Sequence, residues 1–323
     1  MKKILTFEPV FVHLIWGGNR IASFKGIESQ GDDLGESWEL SPMPGHESVV
    51  DNGEYKGRTL NSLIDEYGND IMGARLMKAY DGQFPLLIKL IDSNHDLSIQ
   101  VHPDDEMGRR VEGKRGKTEM WYSVAPEDGA YLYAGFKGKE TPESFKEKIE
   151  NSTIVEALNK YYTHPGDVFF LPAGCVHAIG QGNFVVEIQE ASDVTYRIFD
   201  YNRLGADGKP RELHVEKSMQ AVKFDNSDLS KPKNVSAAPG SEAAIVHCGY
   251  FNTDLISIGP EMTLDLGVRD SFSVFICVSG ELTLTDADGD CVTIRRGHTA
   301  LVPAALKSVN ISGKGELISV YIP

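Results

Sequence analysis

The chain has 323 residues, of which 41% are hydrophobic and 24% are charged, a composition typical of a globular protein with a substantial core. It carries 32 lysines and arginines against 47 aspartates and glutamates, a formal net charge of −15. This balance argues against binding to nucleic acid or to an anionic membrane surface, because both need a basic footprint, but a few basic residues in one cleft can still hold an anionic small molecule.

The N-terminal segment does not predict a signal peptide, because Glu8, Pro9 and His13 interrupt its apolar residues. No apolar stretch of the sequence approaches the ~18 residues that are needed to cross a bilayer. The four cysteines contain no C-x-x-C pair, which favours free thiols over disulfides or a thiolate zinc site. Together these features predict a cytoplasmic protein.

The remaining pattern predicts mostly strands with a few helices. Residues 1–55 indicate short strands and turns. Further strands are predicted, in chain order, at 85–92, 97–102, 118–124, 130–136, 167–171, 184–189 and 194–199. Helices are predicted at 59–72, at 141–160 after the capping residue Thr141, and near 212–221.

The last third of the chain differs from the part before it. Residues 225–242 are polar and rich in Ser, Pro, Asn and Lys, which predicts a linker. From 243 to 323 the pattern predicts strands only. We therefore expect a larger first domain over 1–235 and a smaller all-β domain over 236–323.

The predicted strand LSIQVHP carries polar residues on one face. Alternate residues of a strand share a face, so its apolar residues point into a core while Ser98, Gln100 and His102 point the other way. By the same alternation, the segment GKTEMWYSV places Lys117, Glu119 and Trp121 on one face. A carboxylate and an ammonium beside an aromatic ring are suited to line a sugar pocket.

A third motif, GDVFFLPAGCVHAIG, predicts a buried strand, a tight turn and a return strand. Its spacing runs from Gly166 over five residues to Pro172, then to Gly174 and His177. Such a hairpin projects His177 inward.

Four of these side chains form a candidate metal site. Gln100, His102, Glu119 and His177 offer two imidazoles, a carboxylate and an amide oxygen, a set that suits zinc with one open position. Manganese, iron and cobalt fit as well. Each residue alone is more typical of a hydrogen-bonded core position, but their combination favours metal binding.

These motifs resemble those of a known family. The hairpin is similar to the second conserved motif of the cupin superfamily, and the Q-V-H…E segment to a variant of the first, with Gln100 where many cupins carry histidine. This variant resembles the type I phosphomannose isomerases, as do LIWGG at 14–18 and EIQEASDVTYRIFDYNR at 187–203. The length resembles the short bacterial form, and the resemblance covers nearly the whole chain.

The resemblance implies a mainly β fold of two cupin-type (RmlC-like) jelly-roll barrels, with a few helices inserted in the first. Residues 1–235 would form the catalytic metal-binding domain, and 236–323 a degenerate domain without metal. In the second barrel Ala305 and Ser308 stand at the hairpin positions of Gly174 and His177.

The resemblance also implies an activity. It is the zinc-dependent interconversion of mannose 6-phosphate and fructose 6-phosphate through an enediol, with one Zn²⁺ per chain. The expected partner is a small-molecule sugar phosphate, with no nucleic acid and no membrane, in a monomer or weak homodimer.

Residue by residue, Gln100, His102, Glu119 and His177 correspond to the family's zinc ligands. Arg197 corresponds to its catalytic arginine, and Lys117 to a lysine near the substrate. The chain departs from longer members in one respect, because Gly116 stands where they often carry a histidine.

The sequence leaves open the general base, the phosphate-binding residues and the partner of Arg197. The general base could be Lys117, Glu187, Glu190 or a zinc-bound water. Lys117 could instead hold the phosphate. Lys89 and Arg203 are further phosphate candidates, and the alternation suggests Asp193 as a partner for Arg197.

Two other functions compete with the isomerase. One is another metal-dependent cupin enzyme such as a dioxygenase, although such sites favour several imidazoles or a 2-His-1-carboxylate face. The other is a non-catalytic sugar-binding cupin, which the fold alone does not exclude.

Overall fold

The computed structural model of the chain describes residues 1–205, 208–224 and 231–323. The strands are β1 (Leu5–Glu8), β2 (Val10–Gly18), β3 (Leu34–Leu40), β4 (Val49–Val50), β5 (Leu86–Ser93), β6 (Ile99–Val101), β7 (Glu119–Ser123), β8 (Tyr131–Phe136), β9 (Leu158–Tyr162), β10 (Asp167–Leu171), β11 (His177–Ile179), β12 (Asn183–Glu190), β13 (Tyr196–Phe199), β14 (Lys233–Asn234), β15 (Ser241–His247), β16 (Asn252–Ile258), β17 (Glu261–Asp265), β18 (Ser273–Thr285), β19 (Cys291–Arg295), β20 (Thr299–Val302) and β21 (Ser308–Tyr321).

The helices are shorter and lie mostly in the first two thirds. They are α1 (Arg20–Lys25), α2 (Leu60–Ile71), α3 (Ala74–Ala79), α4 (Asp105–Met107), α5 (Pro142–Glu150), α6 (Ile154–Ala157) and α7 (Val215–Ala221), with a 3₁₀ turn at Gly53–Tyr55 and a π turn at Gly108–Glu112. Among the described residues, no helix is both long and apolar enough to cross a membrane.

The described residues form three sheets, and the fold is mainly β as predicted. A seven-stranded sheet has the order β14-β10-β7-β12-β5-β3-β2, and a five-stranded sheet the order β13-β6-β11-β8-β9. The third has nine strands, with the path β15-β16-β21-β18-β20-β1-β4 and with β17 and β19 paired to β21 and β18. Each path has two ends, so within the described part of the chain no sheet closes on itself by hydrogen bonds.

Four apolar clusters show how the sheets are layered. The inner faces of the seven- and five-stranded sheets meet around Trp121, Phe169 and Leu132. The outer face of the seven-stranded sheet packs on the nine-stranded sheet, which also encloses a cluster of its own. Helices α5, α6 and α7 cover the outer face of the five-stranded sheet. Burial of these faces is the main stabilising contribution to the fold.

The predicted helix over 141–160 is wrong in its second half. Thr141 caps α5 with Pro142 at its first position, as expected. The chain then turns at Ser152, whose φ is +56°, and after α6 residues Leu158–Tyr162 form β9, which pairs with β8. Aromatic residues at 161 and 162 favour a strand. Pairing with β8 provides the backbone hydrogen bonds that this strand needs.

The structure connects the two ends of the chain across the predicted domain boundary. Strand β1 pairs with β20 of the C-terminal sheet and with β4. Of the predicted linker 225–242, residues 225–230 lie outside the described residues, and β14 pairs with β10. The division at residue 235 stays a prediction.

Candidate metal centre and active site

Backbone register brings the first and third sequence motifs together. Gln100 in β6 is the direct register partner of His177 in β11, and partners across an antiparallel pair point to the same face. His102 directly follows β6. Glu119 begins β7 in the opposite sheet, so the four predicted ligands converge from two sheets on the space between them.

The hairpin turn is tied to His102. The φ of Gly174 is +90°, and a Cβ there would lie 2.9 Å from the carbonyl oxygen of Ala221. Only glycine fits this position without strain. The amide of Gly174 donates to the carbonyl oxygen of His102 at 2.9 Å. The two histidine segments therefore hold each other in place.

Both histidines are oriented by main-chain oxygens. Nδ1 of His102 lies 2.8 Å from the carbonyl oxygen of Val194, and Nδ1 of His177 lies 2.9 Å from that of Cys175. A carbonyl oxygen only accepts, so each Nδ1 carries the proton and each Nε2 presents its lone pair. This is the arrangement that metal-ligating histidines adopt.

The Nε2 atoms face Glu119. Glu119 Oε2 lies 3.4 Å from Nε2 of His102, and Oε1 lies 3.2 Å from Nε2 of His177. One ligand atom from each of the three residues lies within 4.8 Å of the others. The amide nitrogen of Gln100 lies 3.3 Å from Nε2 of His177, and a half-turn of that amide presents its oxygen there instead.

The state of the Glu119 carboxylate supports a cation at this point. Both of its oxygens are buried and accept no hydrogen bond from any residue that the structure describes. The ammonium of Lys117 lies 2.7 Å from Oε2, close enough for an ion pair but not in hydrogen-bond geometry. A buried carboxylate with unused lone pairs beside two imidazole lone pairs fits a divalent metal ion. These ligand types do not identify which metal it is.

Lys117 belongs to a buried row of alternating charges. Its ammonium lies 3.3 Å from Nε2 of His102 and 4.0 Å from Oε1 of Glu187. Glu187 in turn lies 3.2 Å from Lys89, which lies 3.5 Å from Glu36. Lys89 is thus an internal ion-pair residue.

Burial and the neighbouring charges shift the pKa values of His102 and Glu119. Burial lowers the pKa of His102 well below its ordinary value, and the charge of Lys117 lowers it further. Burial alone would raise the pKa of Glu119, but Lys117 and the two histidines outweigh it and lower that pKa. Both groups are thereby kept in the protonation states that bind a metal.

The two glutamate candidates for the base point in opposite directions. Glu187 faces the site, and its Oε2 accepts from the indole N–H of Trp121 at 2.8 Å. Glu190 lies three residues on, so the alternation of β12 turns it to the outer face, where it accepts from the backbone amide of Thr118 at 2.7 Å.

Arg197 lies beside two of the predicted ligands, Gln100 and His177, in the five-stranded sheet. It is the register partner of Gln100 on the side away from His177, so the three side chains share the inner face. Its Nη1 donates to the carbonyl oxygen of Glu212 at 2.8 Å, and its Nε is buried without a hydrogen-bond partner among the described residues. The suggested partner Asp193 instead pairs with Lys114 at 2.6 Å.

Arg197 adjoins two further arginines that share one carboxylate. Asp200, 4% exposed, accepts from Arg203 at 2.6 Å and from Arg211 at 2.7 and 2.5 Å. The positive charge of Arg211 lowers the pKa of Arg197, after burial, which is the larger cause. Arg211 and Asp200 were not expected from the sequence, although the charged R-E-L-H segment at 211–214 offered a signal.

Glycine at position 116, where the resemblance led us to expect a histidine in longer family members, has a steric reason. A Cβ at this position would lie 2.5 Å from the carbonyl carbon of Asp104 and from the amide nitrogen of Asp105. The amide of Gly116 donates to Oδ1 of Asp105 at 2.9 Å. This backbone therefore excludes a histidine side chain at position 116.

Comparison with known proteins gives one consistent result. Residues 4–130 match the family model of the phosphomannose isomerase type I catalytic domain, and residues 241–322 match that of the mannose-6-phosphate isomerase cupin domain. The chain is 33% identical over 322 residues to mannose-6-phosphate isomerase ManA of Bacillus subtilis (strain 168), with 98% of each chain covered. It is 31% identical over 319 residues to the mannose-6-phosphate isomerase of Streptococcus mutans, covering 97% of this chain and 98% of the other.

A solved structure agrees with the sequence relatives. The crystal structure of the mannose 6-phosphate isomerase from Bacillus subtilis superposes with a TM-score of 0.90 at 31% identity, and 99% of each chain is covered.

Proposed function

The chain belongs to the type I phosphomannose isomerase family and is an isomerase, and on that premise we propose that it interconverts mannose 6-phosphate and fructose 6-phosphate through an enediol with the help of one bound zinc ion. The observation that carries the metal dependence is the Glu119 carboxylate, which is buried between two imidazole Nε2 atoms and accepts no hydrogen bond from a described residue.

Four residues would hold the ion. They are Gln100 through its amide oxygen, His102 and His177 through Nε2, and Glu119 through its carboxylate. Zinc bound there supplies Lewis-acid polarisation of the sugar carbonyl, which acidifies the neighbouring C–H.

The isomerisation moves one proton between C2 and C1, and we assign this transfer to Glu187. Its Oε2 is held by Trp121, whereas its buried Oε1 accepts no hydrogen bond from a described residue. Two lysines flank it and keep its pKa below the ordinary value although burial opposes them. Lys117, between Glu119 and Glu187, contributes fixed positive charge near the oxygens where negative charge develops.

The arginine cluster would bind the phosphate end of the substrate. Arg197, Arg203 and Arg211 bring three positive charges against the one buried carboxylate of Asp200, an excess that a dianionic phosphate would neutralise. Arg197 shares the row of Gln100 and His177, so it links this end to the metal end and stabilises charge at the reacting oxygens.

We also propose the finer architecture and location. The seven- and five-stranded sheets would be the two faces of a first jelly-roll barrel, supported by the convergence of ligands from both, and the nine-stranded sheet a second barrel without metal. The cysteine pattern, four residues without a C-x-x-C pair, supports a reducing, cytosolic compartment.

Deuterium exchange tests the proposal directly. The purified protein is incubated with mannose 6-phosphate in D₂O, before and after dialysis against a chelator, and the products are followed by NMR. We expect fructose 6-phosphate with deuterium at C1, loss of turnover on chelation and its return with Zn²⁺. Full turnover after complete metal removal would refute the metal dependence, and product without solvent deuterium would argue against a freely exchanging enediol base.

A further inference from the structure

A carboxylate lies behind the segment Lys117–Glu119, which leads into β7. Glu190 ends β12 and is 5% exposed. It lies on the outer face of the seven-stranded sheet, near Cys248 and Tyr250 of the C-terminal part of the chain. The reaction proposed above does not use this residue.

The side chain of Glu190 extends the pairing of β12 with β7 beyond the last pair of the backbone ladder. The ladder between β12 and β7 ends at the pair Gln189 and Glu119. One residue further, the amide of Glu190 donates to the carbonyl oxygen of Thr118 at 3.1 Å, but the amide of Thr118 donates to Oε2 of the Glu190 side chain at 2.7 Å. The backbone N–H and the carbonyl oxygen of Thr118 are therefore both hydrogen-bonded to this one residue.

Thr118 lies between two residues of the candidate site. Lys117 and Glu119 flank it and both point inward, with their charged groups 2.7 Å apart. A shift of the Thr118 peptide moves both of them together. We propose that Glu190 is a positioning residue that fixes the Lys117–Glu119 segment from the outer side of the sheet; the proposal rests on the proposed function of that segment.

The role requires an acceptor oxygen and not a negative charge. Within the described residues, no basic group lies within ion-pair distance of Glu190. Burial raises its pKa to about 7, although the hydrogen bond from Thr118 lowers it. A protonated carboxyl still accepts through its carbonyl oxygen, so glutamine should preserve the contact, and leucine, of similar size, should remove it.

The test compares Glu190→Gln, Glu190→Leu and a control, Ile188→Ala. Ile188 lies on the same outer face of β12, is fully buried and lacks any side-chain hydrogen bond, so its truncation reports loss of packing alone. For each variant we would measure the thermal midpoint, kcat and KM for mannose 6-phosphate, and zinc affinity of the metal-free protein by calorimetry.

We expect Glu190→Leu to lose roughly 10–100-fold in kcat or zinc affinity, as removal of a group that orients a metal ligand does. Glu190→Gln should stay within about threefold of the wild type, and Ile188→Ala should keep its kcat despite a lower midpoint. Equal losses in the glutamine and leucine variants, or a leucine variant with wild-type kcat and zinc affinity, would overturn the proposal.

The design separates this proposal from the proposed function. If the wild type binds zinc but does not turn over mannose 6-phosphate, the function fails while zinc affinity still reports on positioning. If the wild type is active and the leucine variant matches it in both readouts, only the role of Glu190 fails.

Discussion

Gln100 and His177 are 77 residues apart in sequence, yet their side-chain nitrogens lie 3.3 Å apart because they are register partners on neighbouring antiparallel strands. A slip of one residue would turn His177 to the outer face. The geometry of the candidate metal site is therefore set by strand pairing, and Arg197 on the other side of Gln100 depends on the same register.

Removal of a ligand should remove the metal. In His177→Ala the remaining imidazole and carboxylate form an incomplete site, and we expect zinc content after dialysis to fall to a trace and activity to fall more than ~100-fold. Metal analysis by mass spectrometry and an isomerase assay measure both. His247→Ala is the control, because this histidine pairs with Asp254 in the C-terminal sheet. Full zinc occupancy in the His177 variant would contradict the assignment of this ligand.

Replacement of Arg197 should act on the chemical step. Lysine retains a positive charge but not the planar set of donors, so we expect Arg197→Lys to lower kcat by roughly 10²–10³ while zinc content is unchanged. Steady-state kinetics and metal analysis separate the two effects. Arg295→Lys, in an exposed pair with Glu281, should behave as the wild type. A normal kcat in Arg197→Lys would indicate that Arg197 has a structural role and does not act on the chemical step.

Much of the site was predictable from the sequence because it depends on local rules. The two-residue alternation placed Gln100 beside His102 and Lys117 beside Glu119, and the glycine at 174 marked the turn before His177. These rules act within one strand or hairpin, where spacing determines the face of each side chain.

Contacts between distant segments were not predictable in the same way. Lys89 meets Glu36 through the pairing of β5 with β3, and Arg211 pairs with Asp200, which lies 11 residues earlier in the chain. The suggested pair of Asp193 and Arg197 failed because alternation gives a shared face, whereas the partner is decided by which neighbouring segment lies closest.

A buried ion pair outside the site should control stability. Lys25 donates to both oxygens of Glu39, at 2.8 and 2.7 Å, and to the carbonyl oxygen of Gly297, at 2.5 Å. Lys25→Met leaves the carboxylate buried and unpaired, so we expect the free energy of unfolding in urea to fall by about 3–5 kcal/mol. Lys146→Met, from an exposed pair with Glu150, should change it by less than ~0.5 kcal/mol. Equal losses of unfolding free energy in Lys25→Met and Lys146→Met would contradict this prediction.

Glu190 should make stability depend on pH. Its native pKa of about 7 lies above its ordinary value of 4.5, so between these values the native state binds more protons than the unfolded state. The contribution to stability is full below pH ~4.5 and is lost as the pH rises through 7. The charged or titratable groups near it are Asp105, Arg115, Tyr80, Cys248 and Tyr250.

Glu190→Gln removes this titration. Relative to the wild type, its free energy of unfolding should rise by about 1.4 kcal/mol per pH unit between ~5 and ~7 and level off above pH 8. Urea titrations of both proteins across this range measure the difference. A difference that is constant with pH would show that the native pKa of Glu190 is not raised.

The glycine at 116 should be intolerant of even a methyl group. Its missing Cβ would lie 2.5 Å from the backbone at Asp104 and Asp105, and backbone atoms cannot move aside as a flexible side chain can. Gly116→Ala should therefore lower the free energy of unfolding by about 1–3 kcal/mol and, because Lys117 follows directly, lower kcat as well. Gly138→Ala is the matched control, since open space surrounds that position. If both alanine variants showed wild-type stability and kcat, crowding would not be the reason for glycine at position 116.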